Sequence, residues 1–178
     1  MERLPWHLRL PHVGSVGRLV TAAVTALTLA AVAAVAMAAT SAPGPNGCPT
    51  NKSLKTAPIA DLAPPARTQI VGFDVLSGPI DERTQTFTLK VRVGSTCSVN
   101  IKGASVYVTA VPYNQFSIPA EELTGDDGTA TLVFRRDANF PASGKQQQLT
   151  LFIRATKPGE DKLAGVSTRR LVAVDFSS

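Results

Sequence analysis

Runs in which apolar and polar side chains alternate constrain the fold of this chain more than any other feature of its sequence. In the clearest run, residues 86–93, Thr88, Lys90 and Arg92 separate the apolar side chains Phe87, Leu89, Val91 and Val93. Successive side chains of a strand point to opposite faces, so this run predicts a strand with one buried face.

Similar alternation recurs along the chain. We predict further strands at about 69–76, 104–111, 129–135, 148–156 and 165–174, and a short one near 116–118. Turn-forming clusters at 77–79, 125–128, 143–144 and 157–159 punctuate the chain, and no segment shows convincing helical spacing. The sequence therefore predicts an all-β domain. About seven short strands in roughly 110 residues favour an immunoglobulin-like sandwich over a closed barrel. Its core is expected to hold the inward side chains Leu89, Val91, Val106, Val108, Leu132, Phe134, Leu151 and Ile153.

The first 39 residues have the organisation of an export signal. Three arginines and one glutamate in residues 1–18 precede an uncharged run, 19–39, that closes on Ala36-Met37-Ala38. A basic region, an apolar region and an A-x-A pattern are typical of a signal peptide, and we expect the apolar region to form a hydrophobic signal helix before the sandwich. An uncleaved signal anchor is the alternative, because about 20 apolar residues can span a bilayer. Either form places the rest of the chain at the cell surface or outside the cell.

Six prolines lie between residues 43 and 65, among small and polar side chains. This composition favours extended chain, so we interpret 40–66 as a Pro/Ala-rich linker and 67–178 as the sandwich domain. Removal of residues 1–40 lowers the formal net charge from +5 to +3, which leaves a mildly basic domain.

The chain contains two cysteines, Cys48 and Cys97. In an exported protein an even number of cysteines most simply forms disulfides, so we expect one bond between them. Two free buried thiols are the alternative, and a zinc site without histidine is less consistent with the sequence.

The sequence gives little support to catalysis. Both histidines, His7 and His12, precede the predicted cleavage point, so a Ser-His-Asp arrangement cannot be assembled after export. The acidic residues lie mostly in predicted turns, where carboxylates are solvated rather than held around a bond to be hydrolysed. The Asp126-Asp127 pair next to Gly128 is typical of a turn, although carboxylates also bind calcium. We predict neither an enzyme nor a cofactor nor a metal site.

Two groups of residues are candidates for binding. Tyr113, Asn114 and Gln115 lie between two prolines and are predicted to contact a ligand through an aromatic ring and two amides. A second group is by default interpreted as a solvated strand face, but it would attract anionic partners such as cell-wall polymers or lipid headgroups if neighbouring strands brought it together: Arg135, Arg136, Arg154, Arg169 and Arg170. Nucleic acid is not expected, because the basic residues form no dense stripe with aromatic stacking partners. The expected partner is a protein or a cell-wall polymer of unknown identity.

Two segments carry a family resemblance. KGASVYV at 102–108 and TGDDGTATL at 124–132 resemble bacterial immunoglobulin-like domains of the invasin and intimin type, and also carboxypeptidase-regulatory-like modules. The resemblance covers about residues 68–175. It implies a non-catalytic surface or secreted module for adhesion, binding or spacing. A carbohydrate-binding or small-ligand carrier module of similar architecture is the alternative.

The A-x-A pattern predicts that the mature protein begins close to Ala39 or Thr40. Intact mass spectrometry of the exported protein checks this cleavage. Recovery of the full-length chain from the membrane fraction would establish the signal anchor instead.

Overall fold

The computed structural model describes residues 42–51 and 53–177, and within these residues the chain forms ten strands, one short 3-10 helix and no α-helix. The strands are β1 (Thr56–Pro58), β2 (Thr68–Val75), β3 (Ile80–Asp81), β4 (Thr86–Ser95), β5 (Asn100–Lys102), β6 (Ser105–Val111), β7 (Glu122–Leu123), β8 (Thr129–Arg135), β9 (Gln148–Thr156) and β10 (Thr168–Ser177). The 3-10 helix is Ile59–Asp61. The predicted all-β class is confirmed. In the same residues no helix is both long and apolar enough to cross a membrane.

The first sheet is organised around β4. This strand pairs antiparallel with β2 along one edge, and with β8 and then β5 along the other. β1 extends the sheet by pairing parallel with β5. The β2 pairing shifts register between Ile70 and Gly72, so that Val71 has no partner on β4. Strand β2 is therefore an edge of this sheet, and it carries a bulge.

The second sheet has the order β3-β10-β9-β6-β7. Its central pairs, β10 with β9 and β9 with β6, are antiparallel over most of their length. The two-residue β3 pairs parallel with only Phe176 and Ser177 at the end of β10. The first half of β10 is thus a sheet edge within the described residues, as β2 is in the first sheet.

The alternating side chains of both sheets meet in one core. All eight residues predicted for the core are buried, and the alternation of β4 and β9 has the predicted facing. Phe87 and Phe134 stack with their ring centroids 4.5 Å apart and their planes 2° apart. Among the described residues, the core cluster of buried hydrophobic side chains runs from Ile59 to Phe176. A chain that begins at Thr40 therefore keeps every one of these side chains.

The Pro-rich stretch contributes to this domain. Ala57 and Leu62 have no solvent exposure, and Ala66 is buried as well. The Lys157 ammonium donates a hydrogen bond to the Leu62 carbonyl at 3.1 Å. Residues 56–66 are thus packed on the domain, although the sequence predicted a linker to residue 66. The reason is that small and apolar residues among the prolines find partners on β5 and the core. The signal peptide or anchor predicted at 1–39 lies outside the described residues.

The predicted disulfide is confirmed. Cys48 and Cys97 are bonded, with their Cα atoms 5.8 Å apart and 49 residues apart in sequence. Cys97 lies in the turn between β4 and β5, so the bond fastens the N-terminal part of the domain to that turn. A loop of this length corresponds to about 4 kcal/mol of stabilisation in the chain-entropy account.

Several shorter elements differ from the prediction. The strand expected near 116–118 is only an isolated bridge between Phe116 and Arg136. Phe116 is buried as expected, whereas Ile118 is exposed. The four strands of two or three residues, β1, β3, β5 and β7, were not predicted, because two or three residues cannot display an alternation. The last strand begins at Thr168 and runs further than predicted.

Replacement of Phe134 by Ala is expected to lower the free energy of unfolding by about 3 to 5 kcal/mol, because it removes a fully buried ring and leaves a cavity. Denaturant titration measures this difference. Its matched control is Val133→Ala, because Val133 is exposed on the same strand. A loss below about 1 kcal/mol for Phe134→Ala would show that the ring is not a packed core element.

Candidate functional site

The predicted contact residues 113–115 divide between surface and interior. Tyr113 is 64% exposed, and Asn114 is exposed with a φ of 68°, a conformation that asparagine adopts more readily than most residues. Gln115 is buried, and its side-chain amide donates to the Pro112 carbonyl at 3.0 Å. Its side chain therefore turns into the loop, and the prediction of a ligand contact by Gln115 needs correction. Tyr113 and Asn114 do reach the surface.

The predicted basic group gathers only in part. Arg135 pairs with Thr86, the first residue of β4, and therefore lies at the opposite end of that strand from its last residue, Ser95. Arg136 is engaged locally, since it donates to the Phe140 carbonyl at 2.8 Å and also to the Glu82 carbonyl. Arg154 and Arg169, by contrast, are direct cross-strand partners on β9 and β10. Arg154 and Arg169 thus come together on one face of the second sheet, while Arg170 points to the other face of β10.

A hydrogen-bonded link joins the edges of the two sheets beside these arginines. The backbone N–H of Thr68 donates to the Val166 carbonyl at 2.8 Å, and its hydroxyl donates to the same oxygen at 2.7 Å. Thr68 begins β2, and Val166 lies just before β10. Because the link is buried, it fixes the start of one sheet edge against the start of the other.

A cleft of about 240 Å³ opens next to this link. It is lined by Arg67, Lys162, Leu163, Ser167, Thr168 and Arg169. A shallower cleft of about 470 Å³ shares Thr168 and Arg169 with it and adds Gln69, Ile70, Val71 and Arg170. We call the two clefts together the basic groove. Its charged lining consists of cations only, supplemented by the hydroxyls of Ser167 and Thr168.

Most of these cations have no neutralising partner. Within residues 42–51 and 53–177, no carboxylate forms an ion pair with Arg67, Arg169 or Arg170. Arg170 donates to the Ile70 carbonyl at 3.3 Å, which holds its side chain across the gap between β10 and β2. Lys162 is the exception, since it lies 3.2 Å from Glu121. The groove therefore retains the positive charge of three guanidinium groups.

The pairing of Arg154 with Arg169 is unfavourable by itself, because like charges directly opposite on neighbouring strands repel. Glu121 offsets this repulsion by binding Arg154 at 3.1 Å. The Arg154 guanidinium also lies 4.6 Å from the centroid of the Tyr107 ring, a cation–π arrangement. Arg154 is thus held by its neighbours, while Arg169 remains directed to the groove.

Glu121 connects the long loop before β7 to this cluster. A hydrogen bond from the Ser105 hydroxyl, at 2.5 Å, is the main reason that the pKa of Glu121 lies below its ordinary value, and Lys162 and Arg154 lower it further. Partial burial opposes these effects. The carboxylate is therefore ionised at neutral pH, and its single negative charge is shared between Arg154 and Lys162.

The other candidate carboxylates serve the turn before β8. Asp127 accepts hydrogen bonds from the N–H and the hydroxyl of Thr129, which lower the pKa of Asp127, and Asp126 forms an ion pair with Lys102. In the part of the chain that the structure describes, no three His, Cys, Asp or Glu side chains are grouped as metal ligands would be. The chemistry that this arrangement offers is the binding of anions by guanidinium, ammonium and hydroxyl donors.

No protein-family model, curated protein or solved structure matches this chain.

Replacement of Glu121 by Gln is expected to destabilise the protein by about 1 kcal/mol at pH 7, because it leaves Arg154 and Lys162 without their counter-charge. The pKa of Glu121 is lowered in the folded state, so its ionic stabilisation is present above the usual value of 4.5 and is lost as pH falls through the folded-state value. The stability difference between the two proteins should thus shrink below pH 4.5.

Thermal unfolding of both proteins across this pH range measures the effect. Glu122→Gln is the matched control, because Glu122 is the exposed neighbour and forms no ion pair with the described residues. A difference that stays constant from neutral to acid pH would contradict the ionic role of Glu121.

Proposed function

We propose that the protein is an exported, non-catalytic binding module of immunoglobulin-like sandwich architecture, and that it holds an anionic ligand in the basic groove. The convergence of Arg67, Lys162 and Arg169 on one cleft is the observation that carries this function. The ligand belongs to the cell surface or to the medium around the cell.

The architecture of the domain supports the immunoglobulin-like assignment. Two sheets share one core. The two segments that carry the family resemblance lie at the start of β6 and at the turn into β8. Ala104 and Val106 are buried at the start of β6. Gly128 has a φ of 74° at the turn into β8, where Ala130 and Leu132 point into the core. A tight turn followed by inward-facing residues is what the resemblance implies at this position.

The disulfide supports export. Structural disulfides form and persist in oxidising compartments and are rare in the cytosol of most cells. The bond between Cys48 and Cys97 joins the N-terminal part of the domain to the turn after β4.

The lining of the groove supports an anionic ligand. A guanidinium presents a planar fork of donors that matches carboxylate and phosphate groups, and Ser167 and Thr168 add hydroxyl donors. The cleft beside Arg67 and Lys162, at about 240 Å³, is smaller than the sites of drug-sized ligands, which occupy about 300 to 1,000 Å³. It suits one charged group at a time. The shallower cleft shares Thr168 and Arg169 with the first and so continues the groove. An extended polyanion would therefore fit better than a compact molecule.

A second candidate function rests on the loop after β6. Tyr113 is largely exposed beside Asn114, and an aromatic ring next to an amide is suited to stacking on a sugar and hydrogen bonding to its hydroxyls. This surface favours the carbohydrate-binding alternative and is independent of the basic groove.

Binding of the protein to polygalacturonate and polyphosphate, with neutral dextran for comparison, tests the proposed function. We expect both polyanions to bind, with an affinity that falls as salt concentration rises. The double variant Arg67→Gln/Arg169→Gln should bind about 30-fold more weakly, at about 1 kcal/mol for each exposed cation. Isothermal titration calorimetry gives these affinities.

The matched control is Arg135→Gln/Lys145→Gln, which removes the same charge at the opposite end of the domain. Arg135 pairs with Thr86, and Lys145 lies three residues before Gln148, which pairs with Asp175 at the far end of β10 from Thr168. Equal loss of affinity in the control would show that net charge, and not the groove, drives binding. Dextran binding that is abolished by Tyr113→Ala would favour the second candidate. Turnover of a substrate by the purified protein would refute the non-catalytic assignment.

A further inference from the structure

We propose that the anionic ligand of the basic groove is the lipid bilayer itself: this end of the domain docks on anionic phospholipid headgroups, with its arginines on the phosphates and Leu163 in the interface. This inference rests on the proposed function, because it names the partner of the same groove.

Exposed aliphatic side chains surround the cations. Leu163 is 68% exposed and Val71 is 50% exposed, and both line the groove. Leu171, which is 62% exposed, follows Arg169 by two residues on β10 and so lies on the same face of that strand. We call these three residues the apolar rim. Exposed aliphatic side chains contribute little to the binding of a soluble polyanion. In a bilayer they become buried in the interface next to the headgroups that bind the cations.

The N-terminal part of the domain lies at the same end. The N–H of Thr96 donates to the Arg67 carbonyl at 2.9 Å, and the N–H of Arg67 donates to the Thr96 hydroxyl at 3.1 Å. The next residue, Cys97, is bonded to Cys48, and a hydrogen bond from Gly44 to the Cys48 carbonyl closes the turn before it. The chain therefore enters the domain close to Arg67, one of the cations of the groove.

The length of chain before this entry is short. The uncharged run ends at residue 39, five residues before Gly44. Five extended residues span at most about 18 Å. In the signal-anchor form of the protein, chain length alone would hold this entry point near the membrane surface. The attraction between groove and headgroups then needs to act only over a short range, about two Debye lengths at physiological salt.

Vesicle binding tests the proposal. A chain of residues 40–178, which contains every core residue that the structure describes, is mixed with vesicles of phosphatidylcholine alone or of phosphatidylcholine with phosphatidylglycerol, and bound protein is measured by flotation. We expect binding to the anionic vesicles only, weakened by added salt. Arg67→Gln/Arg169→Gln should reduce the partition coefficient about 25-fold, at about fivefold for each cation.

The apolar rim supplies the more specific variant. Leu163→Ser should reduce partitioning into anionic vesicles about tenfold, because most of the leucine side chain moves from water into the interface. Leu171→Ser, at the member of the apolar rim that lines neither cleft, should also weaken vesicle binding and should leave binding to polygalacturonate unchanged.

The matched controls lie at the other end of the domain. Arg135 pairs with Thr86, and the backbone N–H of Leu76 donates to the Thr88 carbonyl, so both are remote from Ser95 and the groove. Arg135→Gln/Lys145→Gln and Leu76→Ser should therefore bind vesicles within about twofold of the unmodified protein. Circular dichroism and thermal unfolding establish that every variant remains folded.

The possible outcomes separate the two proposals. Vesicle binding that is insensitive to Leu163→Ser, with polygalacturonate bound more tightly than the vesicles, would overturn the bilayer inference and leave the anion-binding function intact. Failure to bind any of the polyanions or vesicles would overturn both proposals. Arg169 and Arg170 would then serve only to keep the edge of β10 from pairing with other chains.

Discussion

Strand β4 is the element on which the first sheet depends, because three other strands are hydrogen-bonded to it. It pairs with β2 on one edge, and with β8 and β5 on the other. Its alternating side chains, from Phe87 to Val93, point into the core, so its register decides which face of each neighbour is buried. A shift of one residue would expose four apolar side chains together, which is why this register is strongly specified.

The position of the basic groove follows from the same register. Ser95 at the end of β4 pairs with Thr68 at the start of β2, and Thr68 is bonded to the Val166 carbonyl of the segment before β10. Arg67 immediately precedes Thr68, and Arg169 follows Thr168 at the start of β10. The cations thus converge because hydrophobic burial aligns β4 with β2 and one buried hydrogen-bonded link aligns β2 with β10.

The sequence predicted the long strands well, because seven or more residues are enough to show the alternation of apolar and polar side chains. Turn-forming clusters then mark where each strand ends. It could not predict pairings between distant segments, such as parallel β1 and β5. Among the site residues, the proximity of Arg154 and Arg169 was foreseen as a hypothesis, whereas Arg67 and Lys162 were missed. They lie 95 residues apart outside any alternating run, and only the tertiary link at Thr68 brings them together. Gln115 was misjudged because a polar side chain that bonds its own loop has the same sequence pattern as one that faces water.

Protection of sheet edges explains part of this charge distribution but not all of it. Strand β2 and the first half of β10 are edges, and charged side chains on an edge oppose pairing with other chains. That requirement would be met by charges spread along each strand, such as Arg169 and Arg170. Arg67 and Lys162 lie outside the strands, yet they face the same cleft as Arg169, together with two hydroxyls and an exposed leucine. Since edge protection gains nothing from charges placed beyond the edge, their convergence favours a ligand at this end of the domain.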